Sequence, residues 1–298
     1  MKSPYRCYYR FSRPDLAPQR ILAISDIHFA GKLTANHRRV INFAKQSKPN
    51  LTVVAGDTID NVHALASDAS NKELAGWFTE LGKIAPVCVC FGNHDSYQKA
   101  DKPVRVGRRK YKYVSIEKSP LMECLTNVKN IHVLDNGVFE DKQNYVFGLS
   151  MPSEYYDTPA HPYAEDKEVL LKEFKKNAAR LKNLPKNKAK IILIHSPTYL
   201  TDPDIRKYLS EFDFVFAGHM HNGVVPPILQ KVWRGHRGFI TATKKFFADQ
   251  NTRLGLYGDK LIVLGAVTTI PPNAKGLKLF GGVFPANVAV VEINHEKK

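Results

Sequence analysis

Short apolar, β-branched runs recur along the chain, and several break off at a polar residue: residues 21–25, 51–55, 87–91, 145–149, 191–194 and 214–217. Runs of this length and composition predict strands buried on both faces. Between them the period changes. Residues 71–83 place Leu74, Trp77, Phe78 and Leu81 at i, i+3, i+4 and i+7, the stripe of an amphipathic helix. A second helix is predicted over residues 165–184, with Val169, Leu170, Phe174, Ala178 and Leu181 inward and a face rich in Lys and Arg outward. Strands alternating with helices predict an α/β architecture. Residues 240–243, 261–267 and 288–293 read as strands without helices between them, so the second half is expected to be more antiparallel.

Two stretches leave that rhythm. Residues 99–118 hold eight Lys and Arg against Asp101 and Glu117, with Tyr111 and Tyr113 interleaved, and read as an inserted loop or hairpin. Residues 224–259 mix Trp233, Phe239, Phe246 and Phe247 with Lys and Arg in no clean period and read as an excursion from the core. With no internal repeat or low-complexity tract, one domain over residues 1–298 is expected, carrying this basic insertion and this aromatic and basic excursion.

Composition narrows the class. Hydrophobic residues make up 43% and charged residues 24%, near globular averages, which excludes a wholly disordered, collagen-like or disulfide-dense chain. Lys and Arg number 44 against 28 Asp and Glu, and the formal charge of +16 favours anionic partners: phosphate-containing substrates, nucleic acid or an anionic membrane face. The four cysteines form no C-x-x-C pair, and Cys88 and Cys90 share one strand, so a reducing compartment is expected. Residues 1–20 lack the apolar core of a secretion leader, and no run approaches the length of a membrane span. A cytoplasmic protein without a transmembrane segment is expected, with peripheral membrane contact left open.

The candidate chemistry lies where strands end. The first finishes in Ser25-Asp26-Ile27-His28, the second in Gly56-Asp57-Thr58-Ile59-Asp60 and the third in Gly92-Asn93-His94-Asp95; His195 and Gly218-His219-Met220-His221 close two later ones. Ligands of open α/β sheets bind beyond the carboxyl ends of strands, so these groups are expected to share one site. Asp26, His28, Asp57, Asn93, His195, His219 and His221 form an oxygen and nitrogen ligand set without thiolates, which suits Mn, Fe, Zn or Co. Seven side chains exceed one tetrahedral ion and suit two ions sharing a carboxylate.

The ordered blocks D-x-H, G-D, G-N-H-D, H and G-H-x-H resemble the calcineurin-like metallophosphoesterases, over Asp26 to His221. The resemblance implies a four-layer αββα sandwich of two mixed sheets with a dinuclear centre at the strand ends. It implies that one ion takes Asp26, His28 and His221, that the second takes Asn93, His195 and His219, and that Asp57 bridges them. His94 then approaches the scissile phosphate as proton donor and charge stabiliser, and Asp95 orients it. The implied reaction is metal-dependent hydrolysis of a phosphomonoester, phosphodiester or pyrophosphate. Two ions about 3.5–4 Å apart neutralise phosphate oxygens and generate a hydroxide for in-line attack, with no Ser or Cys nucleophile needed. Within the family, the chain looks most similar to bacterial phosphohydrolases, including those acting on nucleotide-linked or lipid-linked phosphates.

Plainer readings stand beside these. A lone His195 after an apolar strand would be an ordinary core histidine, but four companion blocks displace that reading. His37, His63, His132, His161, His236 and His295 have no such company and are taken as ordinary, while Asp60 reads as a supporting carboxylate. Arg105, Arg108 and Arg109 either grip a substrate phosphate or belong to a solvated loop. Two other functions remain open: a nuclease, for which the +16 charge speaks, and a non-catalytic scaffold for a membrane or partner, against which the complete ligand set speaks.

Overall fold

The computed structural model describes residues 5–106, 109–116, 118–150, 164–197, 203–221, 255–268 and 286–295. In chain order these form β1 (Tyr5–Ser12), β2 (Gln19–Ile24), α1 (Ala35–Ser47), β3 (Leu51–Ala55), α2 (Asp68–Gly82), β4 (Val87–Cys90), a single helical turn α3 (Asn93–Ser96), β5 (Tyr97–Val106) and β6 (Arg109–Ser115). Then follow α4 (Pro120–Leu125), β7 (Ile131–Leu134), β8 (Val138–Glu140), β9 (Asn144–Leu149), α5 (Ala164–Leu181), β10 (Ala189–Ile194), α6 (Pro203–Leu209), β11 (Phe214–Ala217), β12 (Gly255–Tyr257), β13 (Leu261–Val263) and β14 (Asn287–Asn294).

Two six-stranded mixed sheets result, in the orders β1-β14-β2-β3-β4-β7 and β12-β13-β11-β10-β9-β8. Strand alternation explains how they stack. In β3, Leu51, Val53 and Ala55 join the core between the sheets with Ile191 and Leu193 of β10, Phe214 and Phe216 of β11, and Cys88 and Cys90 of β4. The opposite faces meet helices: Val54 packs with Val40, Phe43, Trp77 and Phe78 of α1 and α2, and Ile192 and Ile194 pack with Leu170, Phe174 and Leu181 of α5. Both faces of the central strands are covered, which is why the sequence shows them as unbroken apolar runs. The architecture is thus the expected αββα sandwich. Burial raises the Cys88 and Cys90 thiols well above their usual range, and all four cysteines are free.

Two expectations change. The later strands are less antiparallel than expected: β13 pairs parallel with β11, and β14, antiparallel to β2, is parallel to β1. Residues 5–12, given no element from the sequence, form edge strand β1, whose Cys7, Tyr9 and Phe11 pack on the intersheet core. The basic insertion contains a β5–β6 antiparallel hairpin that starts one residue past the helical turn carrying His94. Arg105 pairs with Lys110 and Arg109 with Val106 across it, but the arginine side chains, all of Arg108, and residues 224–254 of the excursion lie outside what is described. Among the described residues, no helix is long and apolar enough to cross a membrane.

Candidate metal centre

Parallel strands β2, β3 and β4 lie side by side in one sheet, and β10 and β11 in the other, so the loops leaving their carboxyl ends converge. The loops turn inward through backbone that side chains usually avoid. Among the described residues, five of the eight non-glycine residues with positive φ are Asp26 (51°), His28 (46°), Asp57 (52°), His219 (69°) and His221 (42°). Asp and His tolerate this region better than most residues, yet it still costs about 1–2 kcal/mol each, so strain is concentrated at this site.

Six of the seven expected ligand residues have their ligand atoms gathered in two groups at this loop cluster, and the seventh, Asn93, begins the helical turn α3, whose His94 amide donates to Asp57. Asp26, His28, Asp57 and His221 form one buried group with their ligand atoms within 4.8 Å of one another, and Asp57, His195 and His219 form a second. In the first, His28 Nε2 lies 2.9 Å from His221 Nε2 and 3.7 Å from Asp57 Oδ2, and His221 Nε2 lies 3.1 Å from Asp26 Oδ1. A tetrahedral ion with bonds near 2.1 Å has ligand–ligand edges of about 3.4 Å, which these separations bracket. In the second, His195 Nε2 lies 3.1 Å from Asp57 Oδ2. Asp57 Oδ2 therefore faces both groups.

Surrounding bonds aim the ligand atoms. His195 Nδ1 donates to the Ala55 carbonyl at 2.7 Å, which turns Nε2 toward Asp57. Asp26 Oδ2 accepts from Ser25 Oγ at 2.6 Å and from the His219 amide at 3.1 Å, leaving Oδ1 toward the histidines. Asn93 Oδ1 is buried without a hydrogen-bond partner, which suits a ligand oxygen. Gly56 and Gly92 allow the close approach. At Gly56, with φ +80°, a Cβ would run into the His195 ring, and at Gly92 it would lie 2.8 Å from His195 Cδ2. Asp60, read as a supporting carboxylate, places Oδ1 3.6 Å from His28 Nδ1.

One expected arrangement is corrected. Asp95 does not hold the His94 ring: its carboxylate accepts from the Gly92 amide at 2.8 Å and the Ile59 amide at 3.0 Å, tying two site loops together. The His94 ring is held instead by the Asp60 carbonyl, which accepts from Nδ1 and leaves Nε2 toward Asp57, 4.0 Å away. The backbone geometry explains the exchange, because Asp95 lies on the same helical turn as His94 and faces the Gly92 and Ile59 amides beneath it.

The electrostatics follow from burial opposed by neighbours. Burial would raise the Asp57 carboxyl, yet the His195 and His94 imidazoles hold it well below the usual carboxylate range. Asp26 is also lowered, His221 overcoming burial. Burial opposes charge on His195, but Asp57 lifts it to about 9; burial and His195 together drive His219 down to about 3. Asp95 is pushed up to about 7 by burial and by Asp57. Burial works against His94, whose basicity is nonetheless raised by Asp57 and the Asp60 carbonyl. Among the described residues, Asp26 and Asp57 pair only with histidines, never with Lys or Arg. Two buried carboxylates among convergent imidazoles make a pocket whose chemistry calls for cations.

This constellation of Asp and His ligand atoms at the strand ends of an αββα sandwich could hold metal ions. The chain belongs to the calcineurin-like phosphoesterase family, whose model matches residues 19–223. A relative from Campylobacter jejuni, described as an uncharacterized metallophosphoesterase, is 25% identical over 268 residues, which is 87% of this chain and 60% of that protein's length. Similar solved structures include a dimetal phosphatase from Danio rerio, with 13% identity and a TM-score of 0.44 over 85% of this chain and 89% of that one. Another is phosphopantetheinyl hydrolase from Mycobacterium tuberculosis, with 14% identity and a TM-score of 0.39 over 83% and 89%.

Proposed function

We propose that the protein is a metal-dependent phosphohydrolase that cleaves a phosphomonoester, phosphodiester or pyrophosphate at this centre. The observation that carries the reading is the position of Asp57 Oδ2, which faces His28 of one ligand group and His195 of the other. In this reading Asp26, His28 and His221 hold one cation, Asn93, His195 and His219 hold a second, and Asp57 serves both. Bound cations of the Mn, Fe, Zn or Co type would neutralise phosphate oxygens and activate water.

The chain's own groups supply the rest. His94, whose Nδ1 donates to the Asp60 carbonyl, carries its second proton on Nε2 when charged, and from there donates it to the leaving oxygen. Asp57 both favours that charged form and, through Oδ1, accepts the His94 amide at 2.9 Å, fixing the helical turn. Asp95 acts by holding the Gly92 and Ile59 amides rather than by touching substrate. Arg105 and Arg109 belong to the hairpin that grows from this turn, and with Arg108 they are the proposed contacts for a distal anionic part of the substrate.

Metal analysis of the purified protein, joined to a panel of aryl phosphomonoesters, phosphodiesters and pyrophosphates run with each metal, tests the reading. Two equivalents of bound metal and metal-dependent turnover are expected; undiminished turnover by a verified metal-free Asp26→Ala/His94→Ala protein overturns it. The +16 charge favours nucleic acid as a second substrate reading. A nuclease would lose affinity steeply between low and physiological salt, whereas a small substrate's KM would hardly move.

A further inference from the structure

The D-x-H loop has to present two neighbouring ligands from strained backbone. Asp26 and His28 are both left-handed, and Ile27 between them is fully buried. One side of this loop is laddered to the next one: the Asp26, His28 and Phe29 amides donate to Gly56, Asp57 and Thr58 carbonyls at 3.1, 3.0 and 2.9 Å. That ladder leaves the Ile27 carbonyl unaddressed. Two side chains from distant segments meet there: His37 Nε2 at 3.1 Å, from the first turn of α1, and Thr268 Oγ1 at 2.5 Å, from the segment after β13.

The roles are fixed by chemistry. The Thr34 backbone amide, which can only donate, points at His37 Nδ1 at 2.8 Å, so that nitrogen accepts and the ring proton lies on Nε2, aimed at Ile27. Thr34 is the N-cap of α1 and His37 its third helical residue, so the ring doubles as the reaching-back member of a capping box. His37 is 1% exposed, and its own carbonyl accepts from Trp77 Nε1 of α2 at 2.8 Å, so it has little freedom to move away. Thr268 is anchored by its amide, which donates to the Asp26 carbonyl at 3.1 Å, and the adjoining Val267 carbonyl accepts from Asn36 of α1 at 3.3 Å.

We infer that His37 and Thr268 are positioning residues that clamp the Ile27 carbonyl and thereby hold Asp26 and His28 in their ligating conformation. The inference rests on the proposed metal centre and adds to it two residues outside its motifs. Thr268 also lies beyond residue 223, where the family match ends, so the far end of the chain closes the site. Without the clamp the Ile27–His28 peptide is held on its amide side alone, by the bond to the Asp57 carbonyl, so it can tilt, His28 relaxes from its left-handed conformation, and its Nε2 shifts away from His221 and Asp57.

Cobalt(II) titration followed by absorbance, on the full chain, tests this alongside kcat and KM. Thr268→Val, which keeps shape and loses the hydroxyl, and His37→Phe are expected to weaken metal binding by about 10–100-fold, the usual size for residues supporting a ligand. Both should lower kcat with KM unchanged, and Thr268→Ser should restore wild-type values. Val40→Ala, at a residue of α1 that is 1% exposed, is the control for mere helix destabilisation: it should lower the melting temperature and leave cobalt affinity within about threefold of wild type. Wild-type affinity in Thr268→Val, or a loss in Val40→Ala equal to that in Thr268→Val, overturns the clamp while leaving the metal centre standing. A wild-type protein that takes up no cobalt overturns both.

Discussion

Gly218→Ala probes how closely the two sheets bring their loops together. A Cβ at Gly218 would lie 2.8 Å from Asp26 Oδ2 and 2.8 Å from the Ala55 carbonyl oxygen, and closer still to Ser25 Oγ. The first two walls are pinned. Ala55 O accepts from His195 Nδ1 at 2.7 Å, and Asp26 Oδ2 is held by the His219 amide at 3.1 Å. Overpacking against such walls costs about 1–3 kcal/mol. Ser25→Ala removes the nearest obstacle but also the hydroxyl that lies 2.6 Å from the Asp26 carboxylate, a charge-assisted bond whose loss costs about 1.5–3 kcal/mol. In the double variant the new methyl fills the space the hydroxyl leaves, so the two losses should fall short of additivity by at least about 1 kcal/mol. Urea unfolding of the four proteins in chelator, compared at equal slope, reads this directly. Additivity within about 0.5 kcal/mol would show that Gly218 and Ser25 do not share this space and would refute the reasoning.

His94→Ala should retain its metal and lose about 10²–10⁴ in kcat, as expected for a proton donor that ligates nothing; metal loss on elemental analysis would make it a ligand instead. Asp57→Ala removes the oxygen common to both ligand groups and should reduce bound metal below one equivalent, whereas retention of two would place the bridge elsewhere. Burial holds the His37 imidazole below its ordinary value, and the Thr34 amide leaves no room for a proton on Nδ1. The unfolded chain therefore binds the extra proton first, and its contribution to stability, complete above about pH 6.5, is lost as pH falls below that value. The melting temperature of His37→Gln should fall less than that of wild type on acidification from neutral pH; parallel curves would refute the assignment.

The buried strands and the cluster of polar groups at their ends were legible because each depends on local chemistry that sequence carries, whereas the four-layer stacking was implied by the family resemblance. A strand covered on both faces has to be apolar throughout, as β3 and β10 are, and a carboxylate or imidazole just past such a run has few uses in a core. β1 was also within reach, since Cys7, Tyr9 and Phe11 alternate with Arg6, Tyr8 and Arg10. The partner of the His94 ring was not legible. The family resemblance implied Asp95, but neighbours on a helical turn point different ways, and the bond falls to a backbone carbonyl that has no sequence signature.

Helix α1 shows the same limit from the other side. Its buried face runs through His37, Val40, Ile41 and Ala44, so the apolar stripe is entered by a histidine and loses its outline as a period. Read by composition, His37 is an ordinary residue; read as a member of that stripe, it is a buried polar group that requires partners on both ring nitrogens. Asking where those partners lie leads to Thr34 on one side and to Ile27 on the other, and Ile27 stands between two ligand residues. A polar interruption in a helix's buried stripe is thus the trace that the site's support leaves in the sequence. Thr268 leaves none, because an exposed-type residue after a short strand has many uses, and only the fold shows that it ends at the same carbonyl.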